Sequence, residues 1–483
     1  MLERIVNFAT EKRYLVVFLT FIVMGLGAIS LKHLSIDAVP DITNNQVQIN
    51  TLVSGFSPFE IEKQVTFPIE TALAGIPGLV STRSLSRNGF SQVTVIFEDS
   101  VDIYFARQQV NEKLIEAKEN LPSGAEPKMG AISTGLGEIY MWTLRYAEGS
   151  SEKTEDGKPG FQSNGTYLTP EGHILKTEIE KLGYLRTVQD WIIKPQLKTV
   201  PGIAGVDSIG GYVKQYHVQP DPNKLIALGL TFEDVTQVLE KNNTSLGAGY
   251  IEKNGEALTV RADGRIENSQ QLENTVITSK NGTPVYIKDI ASVAIGKELR
   301  TGSGSENGAE AVVGTALMLI GANSRDVAAA VDQKFIEIVK TLPPGIIAQT
   351  VLNRTKLVEA TIVTVSKNLT EGALLVIVIL FLMLKNFRAA LITASVIPIT
   401  MLMTCMGMLS TKTSANLMSL GALDFGLLVD GTVIIIENYL RRIGEKSQEI
   451  KRALDLMERL KEVVESTKEM SRPTLFGQSI LVL

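Results

Sequence analysis

The chain has 483 residues, 44% hydrophobic and 20% charged, with a formal net charge of −5 at pH 7. That length suits about two to four domains, and the acidic balance, with no basic stripe interleaved with aromatics, excludes a nucleic-acid binder. Cys405 is the single cysteine, which excludes an internal disulfide and a thiolate zinc cluster; His33, His173 and His217 have no neighbour at ligand spacing.

The first element is an uninterrupted uncharged run, Tyr14–Leu31. It is too long for a signal-peptide core and no small-residue cleavage site follows it, so it is expected to be a retained transmembrane helix with Arg4, Lys12 and Arg13 on the cytoplasmic side. Beyond it, Gln46–Val53 has the composition of a strand. Ser57-Pro58-Phe59-Glu60 is a helix start, with a Ser cap, Pro in the first turn and Glu three residues after the cap. Gln92–Phe97 alternates as a strand, Val101–Asn120 has an amphipathic helical period, and Ile139–Leu144 is a further strand. The β-α-β-β-α-β order predicts a ferredoxin-like α/β unit.

A weak repeat suggests a second such unit. Gly75-Ile76-Pro77-Gly78-Leu79-Val80 before the 91–97 strand recurs as Thr199-Val200-Pro201-Gly202-Ile203-Ala204 before Tyr212–Val218. Pro-Gly after a helix is also a common stop signal. Residues 147–175 are polar and rich in Gly, Ser and Glu, and are expected to be an exposed, mobile insertion. Asn164-Gly165-Thr166 there matches a glycosylation acceptor, a pattern frequent by chance.

Three further spans follow: Asn368–Leu384, Ala389–Leu409 and the acidic Ala415–Glu437. A fifth begins at 475, and its residues reach about 13 Å at helical rise, under half of a hydrocarbon core of about 30 Å. The expectation is a chain truncated inside a membrane helix. Basic residues at the N-terminus, in Lys385-Asn386-Phe387-Arg388 and from Arg441-Arg442 onward place these segments inside, with 32–366 and Thr411–Ser414 outside. Residues 439–474 are expected to form an amphipathic cytoplasmic helix on the bilayer surface.

The acidic span reads GALDFGLLVDGTVIIIEN over 421–438. Each buried Asp in a membrane helix costs about 2.5–3.5 kcal/mol on insertion scales, so Asp424, Asp430 and Glu437 need a reason. On a helix, Asp430 and Glu437 lie about 20° apart in azimuth and about 10 Å apart along the axis, with Asp424 about 120° round and about 9 Å below. Ligands of one ion converge to about 2.0–2.6 Å from it, which this helix alone cannot provide. Spaced carboxylates in low dielectric can instead relay protons, and moving one charge through 100 mV is worth about 2.3 kcal/mol. A pure packing role would need basic partners, and no other span here carries Lys or Arg at mid-membrane depth. Gly421, Gly426 and Gly431 would let partner helices come close.

With these residues in view, LDFGLLVDGTVIIIEN resembles the fourth-helix signature of the heavy-metal efflux branch of the resistance–nodulation–division transporters, cobalt–zinc–cadmium type. The resemblance extends to VPDITNNQVQINTLVSGFSPFEIEKQVTFPIE, DIYFARQQVNEKL, TGLGEIY, RTVQDWIIKPQLKTVPGIAGV, GAGYIE and NRTKLVEATI. It covers essentially the whole chain except 147–175.

The resemblance implies a multi-span α-helical membrane protein with large periplasmic α+β, ferredoxin-like porter subdomains. The layout it implies is a first transmembrane helix within 1–34 and porter subdomains at 35–127 and 128–366, the latter carrying a docking insertion at about 205–270. Transmembrane helices 2–4 would occupy 367–438, followed by the cytoplasmic helix 439–474 and the start of helix 5 at 475–483. It implies the first half of a proton-driven antiporter, a homotrimer in the bacterial inner membrane working with a periplasmic adaptor and an outer-membrane channel. Such a protein is not an enzyme and uses no cofactor; metal cations are cargo and the proton motive force drives it. Asp424, Asp430 and Glu437 would be the proton-relay acids. The Asp-Phe-Gly…Asp-Gly pattern looks like members exporting Zn, Co or Cd. Met401, Met403, Met406 and Met408 with Cys405 raise soft Cu(I) or Ag(I) as an alternative, against ordinary thioether packing. Glu138, in Gly-Leu-Gly-Glu-Ile-Tyr, is a candidate for an external ion path or an exposed strand-end residue. A drug exporter of the same fold and a non-transporting assembly subunit are the competing expectations.

Overall fold

The computed structural model describes residues 2–482 apart from 35, 38–40, 148–154, 281, 299–301, 385, 412, 417, 418 and 420–424. Two α/β modules follow one plan. In the first, β1 (Gln46–Leu52), β2 (Leu79–Arg87), β3 (Phe90–Phe97) and β4 (Glu126–Met129) form an antiparallel sheet in the order β2-β3-β1-β4. In the second, β5 (Glu138–Tyr146), β6 (Ile203–Ile209), β7 (Ala309–Met318) and β8 (Ile346–Asn353) take the matching order β6-β7-β5-β8. Strand alternation delivers Val47, Ile49, Val93 and Val95 to the first core, where Ile61, Val65 and Ile69 and then Ala106 and Val110 meet them from two helices.

The helix that follows β1 or β5 is built alike in both modules. Each starts with a capping box, in which the Ser57 or Thr177 N–H donates to Glu60 or Glu180 at 2.8 and 2.9 Å. Each passes through a π turn, Glu62–Thr66 or Gln189–Ile193, into a segment with proline near its start. Proline lacks the N–H for an ordinary turn and its ring crowds the i−4 carbonyl; the wider turn relieves both. Each helix ends near Pro-Gly, with Gly78 and Gly202 at φ 76° and 88°. A Cβ there would stand 2.5 Å from Val101 Cγ2 or 2.6 Å from Val327 Cγ2. The Pro-Gly repeat thus marks one structural point twice.

Its continuation differs from the sequence expectation. The counterpart of β3 is β7, not Tyr212–Val218. The strand Lys214–Pro220 pairs instead with Ala291–Lys297 in a separate two-stranded sheet, so residues 210–308 are inserted between β6 and β7. Alternation of side chains marks a half-buried strand and says nothing of its partner. The insertion has its own core around Leu225, Val235, Leu272, Ile287 and Ile290. The antiparallel hairpin of Ser245–Lys253 and Glu256–Asp263 stands out from it, turned at Asn254-Gly255.

The 147–175 segment is also corrected. Its residues 148–154 lie outside the described residues, but Gly160–Phe161, Tyr167–Leu168 and Ile174–Leu175 form a small sheet packed on the second module. Tyr167 is fully buried against Tyr146, Phe161 and Tyr184, with ring centroids 5.1, 5.3 and 5.8 Å away. Its hydroxyl donates to the Pro344 carbonyl at 2.8 Å. Aromatics that widely spaced hide within a polar composition. Thr166 donates from its N–H and hydroxyl to Asn164 Oδ1, so the Asn-Gly-Thr triplet shapes a turn.

Among the described residues three helices are long and apolar enough to cross a membrane: Arg13–His33, Arg354–Ile379 and Phe387–Ser410. The second belongs to a helix, Arg354–Leu384, that starts directly after β8 rather than at Asn368, because Lys356, Leu357, Glu359 and Ala360 are good helix formers. Part of the expected Ala415–Glu437 span lies outside the described residues; from Phe425 a helix continues without a break to Ile450. Residues 439–474 are therefore not one helix. Lys451 takes a left-handed φ of 56°, Arg452 forks onto Glu458 at 3.0 and 2.8 Å, and a new helix runs Leu456–Val482.

Helices Arg13–His33 and Phe387–Ser410 approach closely at Gly27, where a Cβ would lie 2.6 Å from Leu402 Cβ and 3.0 Å from its carbonyl oxygen. Gly27→Ala is expected to lower the thermal midpoint in detergent, because overpacking of about 1–3 kcal/mol outweighs the better helix propensity of Ala. Gly25→Ala, with nothing within 4 Å, leaves the midpoint unchanged or raises it. Equal effects at the two positions would refute this close approach.

Candidate functional site: the acidic helix and its supports

Asp430 and Glu437 are exposed on the helix Phe425–Ile450, with exposed Ile434 between them on the same face. Asp424 lies outside the described residues. The structure thus brings two of the three acids onto one face without bringing them into contact, since seven residues rise about 10 Å. Such a pair suits two separate proton stations better than one ion.

The flanks of that face are held by packing. Gly431 is buried, and a Cβ there would stand 2.9 Å from Gln478 Nε2 and 3.0 Å from Thr474 Cγ2 on the helix Leu456–Val482. Val433 packs with Ala373, Val376, Ala390, Ile397 and Met401 from the two apolar helices beside it. Small and apolar residues therefore fix the azimuth that leaves Asp430 and Glu437 uncovered.

At the foot of the helix sits a polar cluster that sequence reasoning missed. Asn438, buried beside Glu437, donates to Glu469 Oε2 at 3.1 Å and accepts from Arg441 at 2.8 Å. Arg442 donates to Glu462 and to Glu469, both at 2.9 Å, and Lys446 also meets Glu462. Glu462 and Ser466 are buried, and Ser466 donates to the Ile435 carbonyl at 3.2 Å. The available signal was Glu462 and Glu469 seven residues apart; among so many charges it read as a solvated face.

The hydrogen bond from Lys446, joined by Arg442 and working against burial, holds the Glu462 carboxyl below the usual range. A depressed carboxyl contributes stability that is present above its unfolded pKa of about 4.3 and is lost as pH falls through the folded value. Glu462→Gln is therefore expected to lower the thermal midpoint at pH 7, by about 1–2 kcal/mol given the half-exposed cations. Near pH 4 the difference from the parent shrinks. A pH-independent difference would rule out the charge as its cause.

Glu138 is exposed at the first residue of β5. Among the described residues no group of three or more His, Cys, Asp or Glu side chains could hold a metal ion. The methionines do not converge either: Met401 packs beside Ala390 and Ile397, Met408 beside Cys405 and Leu34, and Met403 is exposed.

The sheet modules, the apolar helices and the acidic helix together fit the resistance–nodulation–division fold. The family model described as the AcrB/AcrD/AcrF family matches residues 5–483, and the chain belongs to that family. It is 54% identical over 485 residues to the nickel-cobalt-cadmium resistance protein NccA of Alcaligenes xylosoxydans xylosoxydans, covering 100% of this chain and 45% of NccA. It is 51% identical over 483 residues to the cobalt-zinc-cadmium resistance protein CzcA of Cupriavidus metallidurans, covering 100% of this chain and 43% of CzcA. The X-ray structure of a heavy metal efflux pump, crystal form II, superposes with a TM-score of 0.78 at 31% identity, over 98% of this chain and 43% of that one. The chain thus spans less than half the length of these relatives.

Proposed function

We propose that this chain is the first half of a proton-driven exporter of divalent heavy-metal cations of the Zn, Co and Cd class. The observation that carries the proposal is the shared uncovered face of Asp430 and Glu437 on a helix packed among apolar helices. Asp424, Asp430 and Glu437 act as the proton relay, and Glu138 lies on the ion path through the α/β modules. The names of the relatives NccA and CzcA share cobalt and cadmium, which supports the metal class. Met401 packs in a different cluster from Met408 and Cys405, which leaves no more than two of these soft ligands together and speaks against a site for Cu(I) or Ag(I).

In this proposal the complete pump is a homotrimer in the bacterial inner membrane. Its α/β modules, 35–127 and 128–366, face the periplasm and meet an adaptor protein, and the inserted segment closed by Lys214–Pro220 and Ala291–Lys297 docks toward an outer-membrane channel. The test is growth of an efflux-deficient host carrying the complete pump on zinc, cobalt, cadmium and copper, with dyes alongside. Raised tolerance to the divalent metals alone is expected. Tolerance to copper or dyes only would overturn the substrate class, and no tolerance to any would favour an assembly role.

A further inference from the structure

The residues after the first apolar helix join parts of the molecule that are distant in sequence. Leu34 is buried with Cys405 and Ala415, and Ile36 packs against them. Ile36 bridges Ala415 in parallel, and the Asp37 N–H donates to the Ala415 carbonyl at 2.9 Å. Ala415 belongs to the segment that leads into the acidic helix. The Asp37 carboxylate in turn accepts from the Ser324 hydroxyl. Ser324 is fully buried and opens Ser324–Val339, the helix that packs Val327, Val331 and Phe335 into the second module's core.

A second link runs parallel to this one. Asp41 Oδ2 accepts from Thr134 Oγ1 at 2.7 Å, at the start of the turn Gly135–Gly137 that leads to Glu138 and β5. Arg354, buried to 9% exposure at the head of the helix Arg354–Leu384, donates to the Leu136 carbonyl in the same turn. One aspartate therefore holds the approach to the acidic helix with its backbone and the second module with its side chain. The modules and the apolar helices meet again at Leu136.

We propose that Asp37 is a positioning residue that couples movement of the acidic helix to movement of the second α/β module, through its paired bonds to Ala415 and Ser324. The proposal rests on the proton-relay reading of Asp430 and Glu437. A hydrogen bond to a charged acceptor is stronger than a neutral one, and its donor here is a buried hydroxyl, so a shift at Ala415 carries the head of the 324–339 helix with it. Coupling of this kind needs a contiguous chain of packed and bonded groups, and Leu34, Ile36 and Asp37 supply its length from Ala415 to Ser324.

The test uses the complete pump in proteoliposomes, with an imposed pH gradient and dyes reporting Co²⁺ and proton flux. Asp37→Ala and Ser324→Ala remove one hydrogen bond from its two ends. Both are expected to lower the cobalt moved per proton by about five- to a hundredfold, the range of ordinary coupling free energies, while proton flux continues. Asp37→Asn keeps a carbonyl acceptor for Ser324 and is expected to hold the ratio near the parent's. If Asp37→Ala does not fold, Ser324→Ala decides. An unchanged ratio overturns the proposal, and so does an equal fall of both fluxes, which marks a merely structural anchor. Asp430→Asn is run in parallel: persistent proton flux in that variant overturns the relay reading, independently of the Asp37 result.

Discussion

Asp430→Asn in the complete pump brings cobalt and zinc tolerance down to that of cells without a pump. Asn has nearly the shape of Asp and cannot take up a proton under these conditions, so on the relay proposal the substitution removes the proton station and little else. The uncovered position of Asp430 makes the test clean, because the residues that hold the helix, Gly431 and Val433, are untouched. In this chain, where Asp430 is exposed, stability should stay within about 0.5 kcal/mol of the parent, as for surface changes away from packed features. Transport should fall by about a hundredfold or more, the scale of losing a positioned proton acceptor. Purified protein would be checked for both, by thermal melting and by proton-coupled cobalt flux in vesicles. Glu437→Gln is expected to act in the same direction. Tolerance that survives Asp430→Asn would end the relay assignment.

Trp142→Ala is expected to loosen the second module and spare the first. Trp142 is fully buried on β5, donates to Gln189 Oε1 at 2.9 Å, and stacks near Phe335 with ring centroids 5.3 Å apart. Gly314 on β7 makes room for its ring, since a Cβ there would lie 2.2 Å from Trp142 Cε2. Truncation opens a cavity costing about 3–5 kcal/mol and takes the Trp142 donor from the buried Gln189 Oε1. Hydrogen exchange of β5 and β7 amides should accelerate by about 10²- to 4 × 10³-fold, at a factor of ten per 1.4 kcal/mol. The first module has a separate core, so β1 and β3 should keep their protection. Equal acceleration in both modules would refute their independence.

Much of this was legible from local signals. The capping box at Ser57, the alternation in β3 and the apolar runs at 14–31 and 389–409 are short-range patterns, and the structure reproduces each close to its expected bounds. The acidic helix was legible through energetics, because three carboxylates in an apolar run demand explanation. What escaped was pairing at a distance. Lys214–Pro220 looked like a module strand because periodicity names no partner, and Tyr167 was lost in a polar segment because its neighbours Tyr146 and Tyr184 lie far along the chain. Glu462 looked solvated because its cations, Arg442 and Lys446, come from the other side of a turn. Asp37 gave no signal, since nothing near it in sequence suggests Ala415 or Ser324.

The inserted segment also bears on the order in which the chain acquires its shape. In the first module β2 and β3 are joined by Asn88-Gly89 alone and can pair as soon as they are made. Their counterparts β6 and β7 are separated by residues 210–308, and closing so long a loop costs about 3 kcal/mol more chain entropy than closing a two-residue one. The antiparallel register of Lys214 with Lys297 brings the two ends together and removes most of that penalty beforehand. The second sheet therefore forms late, after the insertion has clasped its own base. Weakening the Val218–Val293 pair should slow the assembly of β5 and β7, two strands it never touches.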